Sequence, residues 1–232
     1  LLKTGDAELI PMFAYVYHEY GALRLDGWGK LVREIGELYY FSLARTYLWG
    51  GLYELNYEYS PMEALDGREN APEEHYYPFE PRGYAFAPER ADYLGMYAAL
   101  RVGAAHRYWA YGTMLKPLVI ETSRIAMDWF HYNHGKNSPE YNDSGTLEVD
   151  AVVNAAWRSP EGNVGLFFAN VSGKPQKVAY RSAEEAYGRR TLLQARWYAP
   201  GDATGRLDVT RSDGGGMAFT IPARGLAMLE LS

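Results

Sequence analysis

The chain has 232 residues, with 23 Lys and Arg against 29 Asp and Glu, a formal charge of −6, 21 tyrosines and no cysteine. That length holds one large domain or two ordinary ones, and the acidic balance argues against a partner gripped through nucleic-acid phosphates. The lack of cysteine excludes disulfides, a thiolate nucleophile and a zinc-cysteine site.

No run of about 18 apolar residues is present, so no membrane span is expected. The first residue is Leu1 rather than Met, so we expect a processed or truncated chain whose targeting signal, if any, preceded it. Compartment stays open, with an extracytoplasmic place favoured.

Residues 9–20 form an apolar, aromatic and β-branched run that predicts a buried strand, with Pro11 tolerable near its start. After a loop at 21–29, Leu31, Ile35, Leu38, Ser42 and Arg45 trace a helical face flanked by Val32, Tyr39, Leu43 and Thr46. Residues 46–52 predict a second short strand, with Gly50 and Gly51 as a bulge or a close backbone approach. From 53 to 88 no periodicity survives, and five prolines punctuate a long loop of the functional kind. Residues 91–116 predict the longest helix, ended by Pro117.

The second half changes character. Short β-rich runs at 151–158, 164–171, 176–181, 191–198, 205–209, 217–221 and 226–231 alternate with Gly- and Pro-rich turns, which predicts an antiparallel sandwich. We place the boundary between 118 and 150 and divide the chain into 1–120 and 121–232. The acidic excess is local: residues 53–90 carry nine acids against three bases, an excess equal to that of the whole chain, together with six tyrosines.

The expected fold class is therefore α/β followed by all-β. Strand, helix, strand, long loop and long helix, then a sandwich, is the order found at the end of a (β/α)8 barrel with an appended β-domain. About 120 residues hold only the last strand-helix units of such a barrel, which needs about 250.

Four segments carry a resemblance. They are Ile10-Pro11-Met12-Phe13-Ala14-Tyr15-Val16-Tyr17-His18-Glu19-Tyr20, Leu48-Trp49-Gly50, Tyr111-Gly112-Thr113-Met114-Leu115-Lys116-Pro117 and Ala156-Trp157-Arg158-Ser159-Pro160-Glu161-Gly162. Together they resemble the C-terminal portion of a poorly characterised bacterial family similar to glycoside hydrolases, with a (β/α)8 barrel and a C-terminal β-sandwich. The resemblance implies a carbohydrate substrate without naming the sugar.

Glycoside hydrolysis generally uses two carboxyl groups, one to protonate the leaving oxygen and one as nucleophile or base. Glu19 stands at the C-terminal end of the first predicted strand, the catalytic end in a barrel, with His18 beside it. Strand alternation puts His18 with Tyr20 on one face and Glu19 with Tyr17 on the other, so only one of His18 and Glu19 points into the mouth. The competing reading of Glu19 is a strand-end carboxylate paired with Arg24 or Arg33. Glu54 is the candidate second acid, on one face with Asn56 and Glu58 if the strand continues. Their competing reading is a solvated acidic loop.

Sugar rings stack on tyrosine and tryptophan, so Tyr17, Tyr20, Trp49, Tyr53, Asn56, Tyr57, Tyr76 and Tyr77 are the candidate substrate-binding residues. Trp157, Phe167, Phe168 and Trp197 are assigned to the sandwich core. His131 and His134 lack a third ligand, so neither a metal nor any other cofactor is expected. Asn142-Asp143-Ser144 and Asn170-Val171-Ser172 match the glycosylation sequon. The expected partners are a carbohydrate and, in trans, the front of the barrel or a second copy of the chain; no nucleic acid or membrane is expected. The rival readings are a non-catalytic carbohydrate-binding or structural protein, and an inactive fragment with its open barrel edge covered by another chain.

Overall fold

The computed structural model describes residues 12–18, 36–53, 87–131, 143–181, 184–188, 191–211 and 216–232. Its first element is α1, Met12–Tyr17, where a strand is expected from the sequence. Among the described side chains, Ala14 and the following His18 are buried, while Met12, Tyr15, Val16 and Tyr17 stay exposed. A buried pair four residues apart is the helical spacing, and a short apolar run cannot by its period distinguish a helix from a strand.

Helix α2 spans Leu38–Leu48 and buries nine of its eleven residues. Thr46 to Leu48, expected in a second strand, are its last turn. The two glycines end it: Gly50 has φ +73°, its N–H donates to the Tyr47 carbonyl at 2.9 Å, and the Gly51 N–H donates to the Thr46 carbonyl at 2.9 Å. This pairing is a Schellman stop with glycine in the left-handed region, not a bulge.

Helix α3, Pro88–Val102, opens with proline in its first turn, where the missing N–H costs nothing. It buries Arg90, Tyr93, Met96, Tyr97 and Leu100 along one face. The single helix expected over 91–116 is interrupted: a turn at 103–105 leads into α4, His106–Trp109, and then β1, Thr113–Leu115. At Gly112 a Cβ would lie 2.5 Å from the Tyr108 carbonyl oxygen and 2.8 Å from that of Arg158. Only glycine admits that approach, which delivers β1 to its neighbour.

The rest is mostly antiparallel sheet, beginning with the hairpin β2 (Arg124–His131) and β3 (Asp143–Asp150). This hairpin has no counterpart in the sequence-based expectation, although Met127, Trp129, Leu147 and Val149 are buried in strict alternation. The following strands are β4 (Val152–Arg158), β5 (Val164–Asn170) and β6 (Gln176–Tyr180). After the short α5 (Glu184–Tyr187) come β7 (Leu192–Ala199), β8 (Ala203–Arg206), β9 (Thr210–Arg211), β10 (Met217–Ile221) and β11 (Leu226–Leu231). Six of the seven expected strands match closely. The run expected at 205–209 is instead the end of β8 and a link in which the Leu207 N–H donates to the Ala195 carbonyl at 3.1 Å.

A six-stranded sheet has the order β1-β4-β5-β11-β7-β8, and a three-stranded sheet the order β6-β10-β9. Strands β5 and β11 are buried along their whole length, as strands covered on both faces must be. One face of the six-stranded sheet sends Ala155, Trp157, Phe167, Ala169 and Met228 into a core shared with α2 and α3. The other face sends Val152, Leu166, Phe168 and Leu229 into a core with Val178, Phe219 and Ile221 of the small sheet. The order of layers is helices, large sheet, small sheet. Strand β1, on the N-terminal side of residue 120, pairs with β4.

Candidate functional site

Glu19, Tyr20, Glu54, Asn56, Tyr57, Tyr76 and Tyr77 lie outside the described residues, as do most of the acidic stretch and His134. Of the remaining candidates, His18 is the best defined. It is 4% exposed and its Nε2 lies 2.8 Å from the Trp109 carbonyl oxygen. That contact requires Nε2 to carry the proton and donate. Its ring sits 4.6 Å from the Trp157 ring. Burial lowers its pKa and the nearby Arg101 guanidinium lowers it further, although the carbonyl contact works the other way. The imidazole is neutral, inward-facing and closed off from solvent.

The site beneath His18 is shaped by Gly50. A Cβ on Gly50 would fall 2.3 Å from His18 Nε2 and 2.9 Å from Trp157 Cη2. The end of α2 therefore doubles as the seat for the histidine. Arg101, at the end of α3, donates to the Gly50 and Trp109 carbonyls at 2.9 and 3.1 Å. It gathers the carbonyls at the ends of α2 and α4. Nothing in the sequence singles Arg101 out beyond its place in the last turn of a helix.

Trp49 is half-buried, packs against the helix-side core, and is stacked under the Arg45 guanidinium at 5.0 Å. Tyr53 sets its ring edge-on to Tyr39 at 6.3 Å. Its hydroxyl is buried with no hydrogen-bond partner among the described residues, and burial raises its pKa. Tyr17 is 52% exposed. The structure thus brings His18 to Gly50, next to Trp49, and turns Tyr53 toward the helical core.

Many tyrosines of the chain serve packing. Tyr39, Tyr40, Tyr93 and Tyr97 form edge-on and tilted contacts within and between α2 and α3. The Tyr93 hydroxyl donates to the Tyr40 carbonyl at 3.2 Å. Trp157, Phe167 and Phe168 are fully buried, as expected. Trp197 is only partly so: it packs on the inter-sheet core and also lines a pocket of about 410 Å³ together with Phe219, Lys177, Arg206, Asp208 and Thr210. No metal-binding cluster exists among the described residues, and no helix among them is long and apolar enough to cross a membrane. Asn170 of the second sequon is wholly buried, and its amide donates to the Lys174 and Pro222 carbonyls at 2.8 Å each, so the folded chain presents no acceptor there.

No protein-family model matches the chain, and no curated protein matches it. Solved structures that it resembles in part are glycoside hydrolases. A family 51 α-L-arabinofuranosidase from Bifidobacterium longum is 16% identical over 37% of this chain and 19% of its own, with a TM-score of 0.31. The family 51 arabinofuranosidase of Xanthomonas axonopodis pv. citri is 18% identical over 39% of this chain and 22% of its own, TM-score 0.30. An α-amylase from H. orenii is 15% identical over 60% of this chain and 20% of its own, TM-score 0.28. The matched region spans about a fifth of the length of each of these enzymes.

Proposed function

We propose that the chain belongs to a glycoside-hydrolase-like protein acting on a neutral carbohydrate. In this reading residues 1–120 contribute the last part of a (β/α)8 barrel, with α2 and α3 in its outer ring, and residues 121–232 form its appended sandwich. The supporting observation is the core that α2 and α3 share with the outer face of the six-stranded sheet. Helices form the outer ring of such a barrel, and an appended sandwich has to bury one sheet face against that ring.

Glu19 is the proposed general acid or nucleophile and Glu54 its proposed partner. His18 serves as a positioning residue: its neutral ring, held by the Trp109 carbonyl, fixes the backbone immediately before Glu19. Tyr17, Tyr20, Trp49, Asn56, Tyr57, Tyr76 and Tyr77 are the proposed sugar contacts, Tyr53 being turned into the helical core instead, with the acidic, tyrosine-rich stretch as a wall suited to a hydroxylated, uncharged ligand. An extracytoplasmic location and completion of the barrel by further chain or by self-association belong to the same proposal.

The test is hydrolysis of aryl-glycosides and polysaccharides by the protein in its native full length. Glu19→Gln is expected to lower kcat by at least about 100-fold, the low end of what a positioned acid contributes. Unchanged turnover in that variant removes Glu19 from the mechanism. His18→Gln is expected to lower kcat with KM nearly constant, since it disturbs placement of the acid and not sugar contacts. A change in KM alone would remove the positioning role.

A further inference from the structure

We propose a second carbohydrate site in the sandwich, separate from Glu19, in which Trp197 provides the platform for a sugar ring. The pocket lies where the two sheets part, at the edge strands β8 and β9, and its volume of about 410 Å³ is within the usual range for small-ligand sites.

Gly205 stands directly across from Trp197 in the β7–β8 pairing, and a Cβ on it would lie 2.8 Å from the indole ring. The indole therefore rests one flank on bare backbone. Any side chain at 205 would push the ring out of place. Trp197, partly exposed, supplies the aromatic surface, while Lys177, Arg206, Asp208 and Thr210 supply donors and acceptors of both kinds around it. Lys177, Arg206, Asp208 and Thr210 are all solvent-exposed.

An aromatic surface ringed by exposed polar groups of both signs suits a ligand with an apolar C–H face and many hydroxyls, which is a pyranose ring. A purely apolar ligand would leave three charged groups unserved, and an anion would meet Asp208.

Affinity electrophoresis of the chain through gels containing xylan, β-glucan, arabinan or starch tests the proposal without requiring catalysis. Retardation in at least one gel is expected, with the dissociation constant raised about tenfold in Trp197→Ala and at least threefold in Asp208→Ala. Trp197 also packs on the core, so circular dichroism and a thermal melt accompany each variant. Should Trp197→Ala fail to fold, the exposed substitutions Asp208→Ala and Lys177→Ala decide the matter. Failure of the wild type to be retarded in any gel overturns the site, as does undiminished retardation in the folded variants. Glu19→Gln is expected to be retarded like the wild type, so loss of the catalytic reading leaves this one standing, and the reverse.

Discussion

The indole nitrogen of Trp157 donates a hydrogen bond of 2.9 Å to the carbonyl oxygen of Leu48, 109 residues earlier in the chain. Leu48 is the last residue of α2, where carbonyls lack an intrahelical partner. The sandwich therefore caps a helix of the other layer, and the same indole closes the His18 seat. Arg224, in the turn from β10 into β11, adds a second tie. It pairs with Glu37 at the start of α2 and stacks 3.5 Å over the Tyr40 ring.

If the helices and the sandwich share one core, they unfold together. Trp157→Phe removes the donor, leaves the Leu48 carbonyl buried without a partner and opens space for several atoms, at a cost of about 2–4 kcal/mol. Urea unfolding followed by tryptophan fluorescence and by far-ultraviolet dichroism is expected to show one coincident transition, shifted to lower urea in the variant. Two separated transitions in the wild type would contradict a common core.

Two glycines of the helical layer are expected to respond in opposite directions. Gly50 needs its positive φ and the space its missing Cβ leaves for His18. Gly50→Ala is expected to cost about 2–5 kcal/mol, a fall in Tm of very roughly 5–15 °C for a chain of this size. Gly95, in α3, has nothing within 4 Å of where a Cβ would stand. Gly95→Ala is expected to gain about 0.5–1 kcal/mol, and calorimetry of both variants measures the contrast.

The sheets were legible and the helices only in part, for a physical reason that particular residues expose. Val164 to Asn170 and Leu226 to Leu231 are central strands buried on both faces, so their apolar runs between Gly- and Pro-rich turns suggest nothing but strands. Met12 to Tyr17 has the same composition, yet among its described side chains only Ala14, with His18 four residues on, reaches the core. Which positions are covered depends on Trp109 and Trp157, both far away in sequence. Gly50-Gly51 likewise reads as a bulge or a helix stop until its hydrogen bonds to Tyr47 and Thr46 are known. At the candidate site, His18 was visible as a residue. Its role was not, since being sealed beneath Gly50 is a property of three segments together.

His18 gives stability a defined pH dependence. Its folded pKa is lowered while in the unfolded chain it titrates near 6.5, so below about pH 6.5 the unfolded state binds a proton that the folded state refuses. Stability is full above that pH and falls as pH drops, by up to about 1.4 kcal/mol per unit until the folded pKa is reached. His18→Gln is expected to flatten the urea midpoint between pH 6.5 and 5.5 relative to wild type. An equal slope in both proteins would show that the imidazole is accessible to protons in the fold.

Asn170 offers the sharpest test of a buried polar contact. Its amide nitrogen donates to the Lys174 and Pro222 carbonyls at 2.8 Å and to that of Ile221 at 3.3 Å. Its oxygen accepts from the Ser172 N–H at 2.9 Å and from the Ser172 hydroxyl at 2.7 Å. Asn170→Asp keeps the shape and the Ser172 contacts but aims a second oxygen at three carbonyls. At neutral pH that places a buried charge against acceptors, and a loss of at least about 3 kcal/mol is expected. Protonation restores one donor, and burial among carbonyls raises the pKa of a carboxyl group. The gap between Asn170→Asp and wild type should therefore narrow as pH falls from 7 to 5. Asn170→Ala, which has no proton to gain, should show no such recovery; denaturant titrations of the three proteins at both pH values decide it.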